Sequence, residues 1–272
     1  MPHISSAPIC DACWSEFEVQ SGNCCARCGD KLEAPATGVS DLNLCRICRL
    51  APPHFTRLVT YGPYTGRMRA AIHALKYDRM HGAASKLGRM LAEAIGDLAH
   101  QAPAEMLVLP VPLYRSKHRE RGFNQARSLA QHAIAALRKT HPAWRLTLAS
   151  STLMRLRATK SQAGLTPRQR RQNVRGTFSV SDATAVSGKH VLIVDDIFTT
   201  GATVRAAAQA LAKAGAATIW VATLARAQMF SRGRRGSNYS AESHHYKPEE
   251  AQEEVLQLAN VRTSTSTDLT SF

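Results

Sequence analysis

Apolar and polar residues recur along this chain with two different periods, and the alternation between them predicts its architecture. Apolar positions fall at helical spacing in RMRAAIHALKY (67–77), in 85–99 and in 124–137. Short unbroken apolar runs, MLVLPV at 106–111 and VLIVD at 191–195, have the length and composition of strands buried on both faces. Weaker strand signals lie at 146–149 and 177–180. An alanine-rich helix is expected over 203–214; it ends near Gly215 and leads into the strand TIWVATL at 218–224. Strand, helix and strand in such close succession make a βαβ unit, which implies an α/β fold with a parallel sheet and ligands at the carboxyl ends of its strands.

This pattern spans residues 54–227 and is flanked by two segments of other character. Residues 228–272 are polar, rich in Ser and Thr and short of aliphatics, so they are expected to form a mostly disordered tail with one short helix near 249–258. Residues 1–53 hold all seven cysteines. Cys25 and Cys28, then Cys45 and Cys48, form two C-x2-C pairs separated by sixteen residues, the spacing of a structural Zn2+ site held by four thiolates. Gly29 supplies the tight turn that such a knuckle favours. Cys10 and Cys13 make a further C-x2-C with no matching pair; Cys24 and His3 are the residues that could complete a second, weaker site.

Charge narrows the partners. The formal net charge is +15 and the pI about 10.0. Between Val111 and Ser181 fifteen Lys and Arg face one acid, Glu120, which points to a polyanion. No apolar stretch is long enough for a transmembrane helix, and MPHISSAPICDACWSEF has neither the basic start nor the apolar core of a secretory signal. The expected location is the cytoplasm, where cysteines serve as metal ligands because disulfides are reduced.

The most specific chemistry lies in VLIVDDIFTTGAT, 191–203. Paired acids at a strand end also occur in nucleotide hydrolases, but the only Gly-Lys pair, Gly188 and Lys189, is followed by His190 and so is no phosphate loop. A receiver domain carries its acids on its first strand, and too little chain follows Asp196 for one. The remaining reading uses the whole stretch. Thr199, Thr200, Gly201, Ala202 and Thr203 open a helix with small residues, so that free N–H groups and hydroxyls converge on an anion. Asp195 and Asp196 are placed to accept hydrogen bonds from a vicinal diol. A phosphate beside a diol describes a ribose 5-phosphate.

The stretch resembles the phosphoribosyl pyrophosphate (PRPP) motif of type I phosphoribosyltransferases. Together with LVLPVPLYRSKHRERGFNQARSLA (107–130), RATKSQAGLTPRQRRQNVRGTF (157–178), IHALKY (72–77) and the cysteine knuckles, it is similar to the ComF/GntX family. The resemblance implies a parallel-sheet type I phosphoribosyltransferase-like domain with a small N-terminal zinc-ribbon module. It implies that Asp195 and Asp196 hold the ribose hydroxyls, that Thr199–Thr203 hold the 5-phosphate, and that Lys76, Tyr114, Arg115, Arg121 and Lys160 serve pyrophosphate or a mobile loop over 155–175. Mg2+ would accompany PRPP. The implied biology is DNA uptake in natural competence, with single-stranded DNA or DNA-processing proteins as partners; transfer of ribose 5-phosphate to an unidentified acceptor is the alternative. Aromatics are few in the basic stretch (Tyr114, Phe123, Trp144, Phe178), so contact with DNA is expected through its backbone.

Overall fold

The computed structural model describes residues 14–32, 43–77, 81–158, 169 and 176–227. Cys10, Cys13, His3, Lys160, most of the 155–175 loop and the 228–272 tail lie outside the described residues.

Five parallel strands form the central sheet, in the order β1-β7-β6-β2-β3: β1 (Arg57–Pro63), β2 (Glu105–Pro110), β3 (Arg145–Leu148), β6 (His190–Phe198) and β7 (Thr218–Arg226). The expected α/β parallel sheet is present. β6 is its middle strand, and its unbroken apolar run is explained by cover on both faces. Leu192 and Val194 enter one core with Leu87, Leu91, Leu129 and Leu137; Val191 and Ile193 enter the other with Val204, Ala207 and Leu211.

Helices α2 (Gly66–Tyr77), α3 (His81–Gly96), α4 (Arg115–Arg121) and α5 (Gln125–Thr140) precede or follow β2; α6 (Ala202–Lys213) joins β6 to β7. α3 and α5 supply the first core and α6 the second, so α5 and α6 leave neighbouring strands toward opposite faces. That divergence opens a crevice at the carboxyl ends of β2 and β6, where open α/β sheets bind ligands. A short antiparallel hairpin, β4 (Leu153–Arg155) and β5 (Phe178–Val180), stands apart from the main sheet.

Four elements among the described residues were not foreseen from the sequence. β1 carries an apolar run, LVTY, too short to tell from a loop beside Gly62 and Pro63. Its edge is covered by the cysteine-rich segment: Gln20 N donates to Tyr61 O at 2.6 Å and Leu58 N donates to Arg27 O at 2.8 Å. Gly62 lies directly under that segment, since a Cβ there would come within 2.0 Å of Glu18 O. β4 has three residues and no periodicity to read, and α4 is almost wholly polar. The fourth is a short helix in the cysteine-rich segment, α1 (Arg46–Leu50), and Cys25, Cys28, Cys45 and Cys48 of that segment are buried against the second core.

α3 and α5 meet closely at Gly88, where a Cβ would lie 2.3 Å from His132 Cβ and 3.2 Å from Leu129 O. Gly88→Ala gains helix propensity of about 1 kcal/mol, but overpacking of ~1–3 kcal/mol against backbone opposes it. Thermal denaturation should therefore show a Tm lower than wild type by a few degrees; an unchanged or raised Tm would show that the helices part freely.

Candidate functional site

The end of β6 places the acid pair in the crevice between β2 and β6. β2 runs alongside with Pro110 opposite Val194, and Val111 N donates to Val194 O at 2.8 Å, so the chain that continues into Tyr114 and Arg115 starts beside the acids. Asn124 holds this turn from the other side. Its Nδ2 donates to Val111 O at 3.1 Å, while its Oδ1 accepts from Arg127 N at 3.3 Å and caps α5.

Asp196 is 5% exposed, and its Oδ2 is engaged from two sides. Lys76, in the last turn of α2, brings Nζ to 2.7 Å from Oδ2, and Gln125, the first residue of α5, approaches the same oxygen with Nε2 at 3.4 Å. Burial alone would raise the Asp196 pKa, but the Lys76 ammonium and its hydrogen bond, with help from Arg121 and Gln125, hold this carboxyl below the usual range. Burial likewise works against the Lys76 charge and is outweighed by Asp196, so its ammonium is held above its ordinary range. Asp195 is in the opposite condition. Burial, and then repulsion from Asp196, push it up to about 8, although its Oδ1 accepts from Asp196 N at 2.9 Å. The pair thus keeps one firm negative charge and one retained proton near neutrality.

Past the acids, β6 ends at Phe198 and the chain turns through Thr199–Gly201 into α6. Gly201 has φ 71°, and a Cβ there would come within 2.2 Å of Phe198 Cζ, so only glycine fits. No acidic residue lies in the first turn of α6 and no side chain caps it. Ala202 is buried, Thr199 and Thr200 are half-buried, and Thr200 Oγ1 is enclosed with no partner. A hydroxyl that is desolvated and unpaired beside open N–H groups suits an anionic oxygen.

The structure therefore brings Lys76, Asp195, Asp196, Arg121 and the Thr199–Thr203 loop to one crevice, with Tyr114 and Arg115 at the start of α4; Lys160 lies outside the described residues. Two neighbours of the acids were missed by the sequence reading. Gln125 is 5% exposed in a helix face otherwise made of Ala126, Leu129, Ala130 and Ala133, and this lone polar residue at an apolar position was the available signal. Arg155, at the end of β4, is drawn down by burial and up by the charge of Asp195, with its guanidinium 5.6 Å from the Phe178 ring. Nothing in the run of arginines distinguished it from its neighbours.

The four sulfurs of Cys25, Cys28, Cys45 and Cys48 lie within 4.8 Å of one another, with Cys28 and Cys45 3.7 Å apart, and form the metal-competent cluster found among the described residues. Crowding sets the thiols against each other: hydrogen bonding with Cys28 pulls Cys25 far below the thiol range, and the same contact holds the Cys28 proton tightly. A tetrahedral divalent cation relieves that conflict, so the donor set fits a metal such as zinc. Cys24 stands outside the cluster, with its sulfur accepting from Gln20 Nε2 at 3.1 Å. No helix among the described residues is long and apolar enough to cross a membrane.

Comparison with known proteins follows the same outline. A family profile described as the phosphoribosyl transferase domain matches residues 123–255. The DNA utilization protein YhgH of Escherichia coli O157:H7 is 37% identical over 223 residues, covering 80% of this chain and 90% of its own length. Competence protein F of Haemophilus influenzae is 29% identical over 228 residues (83% and 93%), and the competence protein ComFC of Bacillus subtilis 26% over 227 residues (80% and 84%).

The acid pair makes stability depend on pH with a defined sign. Asp195 keeps its proton in the fold up to about 8 but loses it at its ordinary value of 3.8 in the unfolded chain. Its contribution is therefore complete below that ordinary value and is lost as pH rises through the folded one. Asp196, lowered, acts only at more acid pH. Urea denaturation of Asp195→Asn should match wild type near pH 4 and exceed it increasingly toward pH 8. A constant difference across that range would refute the retained proton.

Proposed function

The chain belongs to the ComF family, whose relatives here include competence and DNA utilization proteins, and from that premise we propose that it binds PRPP and serves DNA uptake in natural competence. The observation that carries the ligand assignment is the acid pair at the end of β6, clamped by Lys76, next to a loop with an unpaired buried hydroxyl at the start of a twelve-residue helix.

In this reading Asp195 and Asp196 accept hydrogen bonds from the ribose 2- and 3-hydroxyls, and the Thr199–Thr203 N–H groups and hydroxyls receive the 5-phosphate. The pyrophosphate lies toward Lys76, Tyr114, Arg115 and Arg121, with Lys160 assigned to the loop that closes over it. Mg2+ would accompany PRPP into the crevice beside Asp195 and Asp196 and would supply positive charge to the pyrophosphate. The cysteine cluster holds structural Zn2+ through Cys25, Cys28, Cys45 and Cys48, with Cys10 and Cys13 reserved for a second ion. The protein works in the cytoplasm. Arg115, Arg119, Arg127 and Arg138 are exposed and supply part of a basic surface for the backbone of single-stranded DNA.

A second reading, active transfer of ribose 5-phosphate from PRPP to an acceptor, is favoured by the cations around the acids. Lys76 and Arg121 act on Asp196, and Arg155 lies in the field of Asp195, so departing pyrophosphate would leave into a positive environment.

Calorimetric titration with PRPP in Mg2+ tests the ligand. Wild type should bind, and Asp195→Asn/Asp196→Asn should lose about a hundredfold in affinity, since a hydrogen bond to the charged Asp196 contributes about 1.5–3 kcal/mol and one to the protonated Asp195 about 0.5–1.5 kcal/mol. Equal affinity in the double variant would refute the site. Pyrophosphate release across a panel of nucleobases then decides between the readings: release with any base establishes the transferase. Retention of labelled single strands that falls steeply with salt supports the DNA role.

A further inference from the structure

The cysteine cluster and the Thr199–Gly201 loop share their neighbours. Arg226, the last residue of β7, is 2% exposed. Its Nη1 donates to Cys28 O at 2.6 Å, and its Nη2 lies 3.8 Å from Cys28 Sγ and 2.9 Å from Asp30 Oδ1. The same guanidinium sits 4.8 Å from the centre of the Phe198 ring. Phe198 follows the acid pair by two residues, and its ring fills the space beside Gly201. Arg205, in the first turn of α6, completes a second path. Its backbone N donates to Gly201 O at 2.8 Å, its Nη1 donates to Ala51 O at 3.0 Å, and its Nη2 lies 3.8 Å from Cys48 Sγ.

We infer that Arg226 and Arg205 join metal loading of the cysteine cluster and anion binding at the Thr199–Gly201 loop into one linked equilibrium, so that each strengthens the other. The inference deepens the PRPP reading of that loop and rests on it for the identity of the anion. Four thiolates around a divalent cation carry a net charge of about −2, which two guanidinium groups balance from outside the ligand set. When the ion leaves, the knuckles lose what folds them. Arg226 then loses Cys28 O, Cys28 Sγ and Asp30 together, all of them in the cysteine-rich segment. A buried guanidinium stripped of its partners is costly, so the end of β7 rearranges and the Phe198 ring lets go of Gly201. Arg205 loses its two side-chain partners at the other end of the loop.

Linkage requires reciprocity: if the metal raises PRPP affinity by a factor, PRPP raises metal affinity by the same factor. Three measurements on the full chain test this. Chelator-treated protein should bind PRPP in Mg2+ more weakly than zinc-loaded protein, by about 5–150-fold, the usual range of such couplings. Saturating PRPP should slow transfer of zinc from wild type to a chromophoric chelator, and in Arg205→Met, which keeps the four cysteines, the effect should shrink or vanish. Without any PRPP, amide hydrogen exchange over 199–205 should accelerate on zinc removal more than in the α3 and α5 core. If metal-free protein unfolds throughout, the Arg205→Met comparison on loaded protein decides. PRPP-insensitive zinc release in a wild type that binds PRPP overturns the linkage. If loaded wild type binds no PRPP, the ligand reading fails, and the exchange measurement alone decides the coupling: equal protection of 199–205 with and without zinc overturns it.

Discussion

The ion pair between Lys76 and Asp196 is the contact around which the crevice is arranged. A carboxylate at the end of a strand covered on both faces is tolerated only if its charge is met, and removing one partner of such a pair leaves a charge that the interior cannot solvate. Three elements converge to meet it. α2 ends with its lysine over the acid, α5 begins with a glutamine against it, and α4 ends with Arg121 in its field. These same elements shape the crevice, so the electrostatic solution for one side chain also fixes the walls of the site. In the neighbouring Asp195, burial and the repulsion of Asp196 outweigh the pull of Lys76, and it holds its proton instead.

Topology supplies the rest of the site. β2 and β6 are adjacent and parallel, but their following helices cross opposite faces of the sheet, so the two turns after them spread apart and leave room between. The β6 turn is locked by shape as much as by hydrogen bonds, because the Phe198 ring and the left-handed Gly201 exclude any larger residue. Behind it lies the cysteine-rich segment, in which Cys25, Cys28, Cys45 and Cys48 are packed into the same core as Val191, Ile193 and the inner face of α6. The metal-competent cluster is thus continuous with the support of the Thr199–Gly201 loop.

Much of this was legible in the sequence, for reasons that also explain what was not. The long central strand and β7 read as unbroken apolar runs because both faces are buried, the alanine-rich helix keeps helical spacing because one face is, and the glycine of the loop is constrained by backbone geometry that few other residues satisfy. The four cysteines were readable from spacing alone. β1 escaped notice because an edge strand with a glycine and a terminal proline has little pattern, and its partner β7 lies at the far end of the sheet-forming chain. Gln125 and Arg155 escaped for a different reason. Their importance lies in distance to the acids across the fold, Gln125 and Asp196 being 71 residues apart; the apolar face around Gln125 marks it as unusual, but no local rule names its partner.

The separation between Cys28 and Arg226, 198 residues, has a meaning for how the chain is made. The cysteine-rich segment leaves the ribosome long before β7, which carries Arg226 and pairs with β1 from Arg57↔Trp220 to Pro63↔Arg226 and is the last strand among the described residues. Nearly the whole sheet must be synthesised before β1 can find its neighbour and before the knuckles can reach their arginine. Such non-local pairing forms late and slowly. Early capture of a metal by the knuckles would keep this segment compact and its thiols occupied through that interval, a use for the cluster that belongs to the unfinished chain and not to the finished fold.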